Sequence, residues 1–137
     1  MIKKFRSGCP VASALDILGD KWTLVIVRDM LFGGKSTFKE LSESTEKIAS
    51  NILSSRLKLL ERHKMVTKNK VPGNDKVVVY KLTDKGTSLA PVIVELIAWS
   101  DKNIREFNPD MINRDSELIT AIQTDKKQFT EYIQKRY

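Results

Sequence analysis

The chain has 137 residues, which is enough for one domain with a small appendage and excludes a miniprotein that depends on disulfides. Its 41% hydrophobic and 30% charged residues exclude a disordered chain, and its single cysteine excludes an intrachain disulfide framework and favours the cytoplasm. The net charge of +7 favours a polyanionic partner, and no apolar run is long enough for a signal peptide or a membrane span.

The positive charge is concentrated in the N-terminal part of the chain. Residues 1–82 contain 16 Lys and Arg against 8 Asp and Glu, whereas residues 83–137 contain 8 against 9. A partner that is recognised by charge should therefore meet the first three-fifths of the sequence.

Hydrophobic residues at helical spacing predict two helices near the N-terminus. Val11, Leu15 and Leu18 indicate a short amphipathic helix that begins at Pro10. Residues 21–32 are apolar around most of the helix circumference and are followed by two glycines, which predicts a central, buried helix.

Two more helices are predicted before the hydrophobic period changes. Thr37 and Glu40 have the spacing of a capping box, which predicts a short helix that ends near Ser44. Residues 49–63 then form the clearest helix of the sequence, with leucines along one side.

A change to β-branched residues predicts a hairpin after the fourth helix. Residues 66–71 and 77–82 form its strands, and residues 72–76 are of the types that turns select. Thr83 then caps a further helix, whose start is delayed or bent by Pro91.

This order of elements predicts a mainly α-helical fold with a small β-hairpin wing, the winged helix-turn-helix. With Leu53, Leu57 and Leu60 directed inward, a step of about 100° per residue places Asn51 and Ser55 on the outer side of the fourth helix. Amide, hydroxyl and cationic groups on such a helix suit the DNA major groove, and lysines of the hairpin could contact the adjacent phosphates. The predicted DNA-binding residues are Lys39, Ser50, Asn51, Ser54, Ser55, Arg56, Lys58, Lys68, Lys70 and Lys76.

Two other functions compete with DNA binding at this point. Any exposed helix carries polar residues, so the basic face alone is equally typical of an ordinary solvated surface. The alternative function is a winged-helix module that docks on another protein and uses its basic face for assembly. An enzyme is disfavoured because His63 is the only histidine, which leaves no Ser/His/Asp triad and no histidine-based metal cluster. We therefore predict no metal, no cofactor and no enzymatic activity.

Several separate segments resemble the HxlR family of bacterial and archaeal transcription regulators, which are related in shape to the MarR group. They are residues 9–12 (CPVA), 15–23 (LDILGDKWT), 38–41 (FKEL), 48–57 (IASNILSSRL) and 80–86 (YKLTDKG), together with Trp99. The resemblance implies a homodimer that presents two recognition helices to an inverted-repeat operator in double-stranded DNA. It also implies that the first and fifth helices build the dimer interface.

The apolar side of the fifth predicted helix agrees with an implied dimer, because it offers more surface than one small domain can cover. We expect residues 1–104 to form the DNA-binding domain with an N-terminal arm and a dimerisation helix. Residues 105–137, with one amphipathic helix over residues 118–133, form a C-terminal extension that reinforces the dimer. The predicted interface residues are Val11, Leu15, Leu89, Val92, Ile93, Leu96 and Trp99.

Cys9 precedes a helix that begins at Pro10, so the helix dipole and the cationic Lys3, Lys4 and Arg6 would favour its thiolate. Some regulators of the HxlR type use a cysteine at this position to sense electrophiles or oxidants. Cys9 is thus a candidate sensor, and an electrophilic small molecule is a candidate effector. The alternative is an unreactive buried cysteine that packs as a small hydrophobic residue.

The sequence departs from the family after the recognition helix. Lys64 stands where the family commonly has a glycine, and a left-handed helix cap at a lysine costs on the order of 1 kcal/mol.

Overall fold

A computed structural model of the chain describes residues 4–137. It has the predicted mainly helical architecture with one two-stranded antiparallel hairpin, in the order of a winged helix-turn-helix. The elements are α1 (Pro10–Leu18), α2 (Thr23–Leu31), α3 (Phe38–Ser42), α4 (Ser50–Arg62), β1 (Val66–Val71), β2 (Asn74–Leu82), α5 (Asp84–Thr87), α6 (Ala90–Asn103), a 3-10 turn (Arg105–Phe107), α7 (Glu117–Thr124) and α8 (Lys126–Arg136).

The chain forms two compact units that meet in sequence after Gly86. Helix α6 groups with the C-terminal helices α7 and α8, whereas the sequence placed it with the DNA-binding part. The functional division at residue 104 remains a prediction.

The N-terminal unit is built around α2, as its apolar sequence predicts. Ile26, Val27 and Met30 are buried, and α2 packs against α4 and β2. Each fully buried side chain of this size contributes about 1.5–3 kcal/mol relative to exposure, so the α2 contacts stabilise this unit substantially.

The predicted capping box begins α3. The Glu40 amide donates to the Thr37 hydroxyl at 3.2 Å, and the Glu40 carboxylate accepts from the Thr37 amide at 3.1 Å. Backbone hydrogen bonds from Ser36 and Thr37 lower the pKa of Glu40. The helix ends at Ser42, two residues earlier than predicted.

The hairpin has a shorter turn than the sequence suggested. Strand β2 already begins at Asn74, which leaves only Pro72 and Gly73 between the strands. Pro72 has its φ fixed by its ring, and Gly73 adopts a φ of +82°, which is easily reached without a side chain. A tight turn therefore replaces the predicted five-residue connection.

Thr83 ties the base of the hairpin to the end of α4. Its amide donates to the Met65 carbonyl at 3.0 Å, and its hydroxyl donates to the Lys64 carbonyl at 2.6 Å. The Gly86 amide donates to the same hydroxyl at 3.2 Å, so Thr83 caps the one-turn helix α5 and not the long helix after it. Helix α6 begins only at Ala90, with Pro91 in its first turn, which confirms the predicted delay.

The C-terminal unit packs α6 against α7 and α8, with Ile93, Ile119 and Ile133 among its buried residues. The prediction of a single last helix is wrong. Asp125 has extended backbone angles, and its carboxylate accepts from the Gln128 amide at 3.0 Å, which begins α8 as a separate helix.

The end of α4 has the shape expected for a glycine. Lys64 adopts a φ of +61°, its amide donates to the Glu61 carbonyl at 3.0 Å, and the Met65 amide donates to the Leu60 carbonyl at 2.9 Å. These two bonds and the buried pair Leu60 and Met65 are the Schellman arrangement of a helix end. Lys64 therefore holds a conformation that disfavours side chains with a Cβ.

We expect Lys64→Gly to raise the free energy of unfolding by about 1 kcal/mol, because glycine adopts positive φ without strain. Urea denaturation followed by circular dichroism measures the change. Lys58→Gly is the matched control: it lies inside α4, where glycine lowers stability by about 1 kcal/mol. A loss of stability in Lys64→Gly would contradict the conclusion that the positive φ of Lys64 is strained.

Candidate nucleic-acid interface

The packing of α4 determines which of its side chains reach the solvent. Leu53, Leu57 and Leu60 are at most 2% exposed. Asn51 and Ser55 are exposed, as the helical step of about 100° per residue predicts. Burial of the three leucines thus fixes the rotation of α4 about its axis.

The exposed side of α4 carries polar groups that are free to bind a partner. Within residues 4–137, the side chains of Ser50, Asn51, Ser54 and Lys58 form no hydrogen bond or ion pair. Ser54 is half-buried and the other three are exposed. We define Ser50, Asn51, Ser54, Ser55 and Lys58 as the α4 stripe.

The first turn of α4 adds to the positive potential of this surface. It contains no acidic residue, and its N-cap residue, Ala49, has no polar side chain that could accept a hydrogen bond from the first amides. A helix N-terminus of this kind favours negative charge, including phosphate.

Arg56 does not belong to the α4 stripe. Its side chain is 29% exposed, and its Nη1 lies 3.8 Å from Oδ1 of Asp20, in the segment before α2. Its Nη2 donates to the hydroxyl of Ser55 at 3.1 Å. In this structure the Arg56 guanidinium contacts residues of the N-terminal unit, and its predicted contact with DNA stays a prediction.

The remaining predicted lysines lie on α3 and the hairpin. Lys39 is exposed on α3, and Lys68, Lys70 and Lys76 are exposed on the two strands. In the described part of the chain, none of these four side chains forms an ion pair. They are available to contact phosphate groups.

Several acidic residues of the same unit are paired with cations other than these lysines. Arg28 is 2.8 Å from Glu46 and 2.7 Å from Asp29, and Lys35 approaches Asp29 to 3.9 Å. The hydrogen bond from Arg28 lowers the pKa of Glu46, which keeps this carboxylate charged and paired. Asp16 pairs with Arg6 in the same way.

The predicted dimer residues divide into two groups. Val11, Leu15, Val92, Leu96 and Trp99 are exposed, with Trp99 at 58%. Leu89 and Ile93, at 9% and 5%, are buried within their own chain. Leu89 and Ile93 thus pack within their own unit, and a place for them in a dimer interface stays a prediction.

Cys9 is an exposed, free thiol at the N-cap of α1, which contradicts the alternative of a buried cysteine. Arg6, one of the three cations expected near it, is instead paired with Asp16. Lys4 is exposed, and Lys3 lies outside the described residues.

Residues 4–137 contain neither a metal-binding cluster nor a membrane-spanning helix. No cluster of three or more His, Cys, Asp or Glu side chains in this part of the chain could hold a metal ion. None of its helices is long and apolar enough to cross a membrane.

The sequence analysis did not predict the pairing of Asp20 with Arg56. The spacing from Asp20 to Thr23 is that of a helix cap, and it could have indicated that Asp20 binds the first amides of α2. Its carboxylate accepts from the Trp22 and Thr23 amides at 2.9 and 3.0 Å. Its second partner lies 36 positions away, and no local pattern indicates it.

Comparison with known proteins identifies the family. A family model described as HxlR-like helix-turn-helix matches residues 17–108. The chain belongs to the HxlR family. Its relative YodB of Bacillus subtilis strain 168, an HTH-type transcriptional regulator, is 38% identical over 95 residues, which are 69% of this chain and 84% of YodB.

Solved structures of HxlR and MarR regulators share the fold of this HxlR-family chain. The quinone-bound YodB of B. subtilis superposes with a TM-score of 0.57 at 34% identity, over 69% of this chain and 98% of YodB. The redox regulator HypR in its oxidised form gives 0.59 at 28% identity, over 69% and 97%. A MarR-family regulator from Porphyromonas gingivalis W83 gives 0.60 at 27% identity, over 74% and 99%.

Proposed function

We propose that this HxlR-family chain is a cytoplasmic regulator without enzymatic activity that binds an inverted-repeat operator in double-stranded DNA as a homodimer. The observation that carries the proposal is the α4 stripe, which is held outward by buried leucines and has free polar side chains. A helix of these dimensions fits the major groove, where amide and hydroxyl groups distinguish base edges.

The two kinds of polar residue have different proposed roles. Asn51 suits bidentate contact with adenine, and Ser50, Ser54 and Ser55 suit either a base or a phosphate. The lysines are proposed to contact phosphates and to supply most of the affinity: Lys39, Lys58, Lys68, Lys70 and Lys76.

The exposed apolar residues of α1 and α6 support the homodimer. Val92, Leu96 and Trp99 form one exposed apolar side of α6, and Val11 and Leu15 form another on α1. Apolar patches of this kind are typical of protein interfaces. We propose that they pair with a second copy and that residues 105–137 reinforce that pairing.

Docking on another protein remains the second candidate function, because the same basic face would serve it. Salt dependence separates the two. DNA binding that relies on lysine–phosphate contacts weakens steeply as salt increases, with a slope of about −0.9 per contacted phosphate. No binding of the wild-type protein to any duplex at low salt would exclude the DNA proposal.

We expect Asn51→Ala and Lys70→Ala to weaken DNA binding in different ways. On a duplex selected from a random library, Asn51→Ala should lose about 5-fold to 100-fold in affinity, with little effect on random DNA. Lys70→Ala should weaken both duplexes and reduce the salt slope by about 0.9. Fluorescence anisotropy across a salt series measures both effects.

Lys127→Ala is the matched control for Lys70→Ala. It removes the same charge from an exposed position in the C-terminal unit and should leave the salt slope unchanged. Equal losses for Asn51→Ala on selected and random DNA would contradict a role of Asn51 in base recognition.

For the homodimer, we expect Trp99→Glu to convert the dimer to a monomer, because a carboxylate in an apolar interface is costly to desolvate. Sedimentation velocity at micromolar concentrations measures the change. Lys102→Glu, at an exposed position of the same helix, should leave the dimer intact. A monomeric wild-type protein, or a dimeric Trp99→Glu variant, would contradict the proposed interface.

We further propose that Cys9 makes the regulator responsive to electrophiles. Its thiol is exposed, and the chain resembles a regulator that was solved with a bound quinone. In the proposed step, the thiolate sulfur forms an S–C bond to a quinone ring carbon while the C=C π bond breaks and its electron pair moves to a carbonyl oxygen. That oxygen takes up a proton from water, and a proton shift from the ring carbon to the second oxygen gives the thioether of a hydroquinone.

Intact-protein mass spectrometry after treatment with a benzoquinone tests this step. We expect one adduct that adds the full mass of the quinone, and none in Cys9→Ser, which retains the N-cap position with an unreactive hydroxyl. An unmodified wild-type Cys9 would exclude the sensor role while leaving the DNA proposal untouched.

A further inference from the structure

We propose that Arg56 is a positioning residue that fixes the hydroxyl of Ser55 as a hydrogen-bond donor toward the DNA bases. The inference deepens the proposed function and rests on it. Arg56 would then support a DNA contact made by Ser55 instead of contacting DNA itself. The proposal also predicts which base edges Ser55 can bind.

The position of Arg56 argues against a direct contact with DNA. The side chain lies between Asp20 and Ser55, and its Nε is buried without a hydrogen-bond partner among the described residues. The Arg56 side chain is only 29% exposed, and its Nη1 and Nη2 contact Asp20 and Ser55, so the guanidinium is engaged within the N-terminal unit and does not extend freely into solvent.

Asp20 is the charged partner of the Arg56 guanidinium, at 3.8 Å. Its carboxylate also accepts from the amides of Trp22 and Thr23 and from the Thr23 hydroxyl, which fix it at the start of α2. Partial burial acts to raise the pKa of Asp20, but these hydrogen bonds and the charge of Arg56 together lower it. The carboxylate therefore stays ionised and keeps Arg56 in place.

The bond from Arg56 determines what the Ser55 hydroxyl can do next. A guanidinium has five N–H donors and no acceptor, so the Ser55 oxygen must accept this bond. The single hydroxyl proton of Ser55 cannot point toward Arg56. It is left to donate to another group on the exposed side of α4.

A serine that donates selects base edges that accept. In the major groove these are N7 and O6 of guanine, N7 of adenine and O4 of thymine, whereas the amino group of cytosine is a donor and can reach only the one lone pair of the Ser55 oxygen that Arg56 leaves free. A serine without Arg56 can rotate its hydroxyl to donate or accept. Loss of Arg56 should therefore relax discrimination at the base pair that Ser55 contacts.

A double-mutant cycle on the full-length protein tests the proposal. The probe is a duplex selected from a random library, together with its single base-pair variants. We expect Ser55→Ala and Arg56→Lys each to reduce discrimination about 5-fold to 10-fold at the same base pair. The double variant should lose no more than Ser55→Ala alone. Arg62→Lys, at an exposed position of the same helix, is the control and should not change discrimination.

Two further variants separate positioning from direct contact. Arg56→Gln removes the charge and should leave the salt slope unchanged, whereas loss of a phosphate contact would reduce the slope by about 0.9. Asp20→Asn keeps the charge of Arg56 but releases it, and should relax discrimination at the same base pair as Ser55→Ala. Thermal melting followed by circular dichroism shows that each variant remains folded.

The possible results distinguish this inference from the proposed function. Additive losses in the cycle, or a reduced salt slope for Arg56→Gln, would overturn the positioning role while DNA binding stands. A wild-type protein that binds no duplex at low salt would overturn both.

Discussion

The burial of Leu53, Leu57 and Leu60 is the constraint on which the proposed function depends. These leucines pack α4 into the core of the N-terminal unit and fix its rotation. Each contributes on the order of 1.5–3 kcal/mol, so a rotation that exposed them would cost more than any single polar contact could return. The α4 stripe faces solvent as a consequence, before any partner binds.

Charge is organised by the same unit. The carboxylates of Asp20, Asp29 and Glu46 are held by arginine, and Glu40 caps α3. These acidic groups are thus engaged within the fold, while the lysines of α3, α4 and the hairpin form no ion pair within residues 4–137. The excess positive charge of residues 1–82 therefore includes side chains that are free to meet a polyanion.

Local sequence signals predicted most of the N-terminal unit. The capping box at Thr37, the leucine spacing of α4 and the β-branched runs of the hairpin are short-range patterns with a direct physical cause. The features that the sequence did not predict depend on tertiary contacts or on a helix cap inside a continuous hydrophobic pattern. The partner of Arg56 is distant in sequence, the inward turn of Ile93 depends on what α6 packs against, and the cap at Asp125 interrupts a pattern that otherwise reads as one helix. Residues 109–137 lie beyond the match to the family model, so no family pattern guides their interpretation.

The most direct test of the account is to map which amides respond when DNA binds. In a two-dimensional ¹H–¹⁵N NMR titration of the protein with a selected duplex, the account predicts the largest shift changes at the α4 stripe and the hairpin. Leu53 and Leu57 should remain protected from hydrogen exchange throughout. Shift changes confined to another surface, with α4 unaffected by saturating DNA, would contradict it.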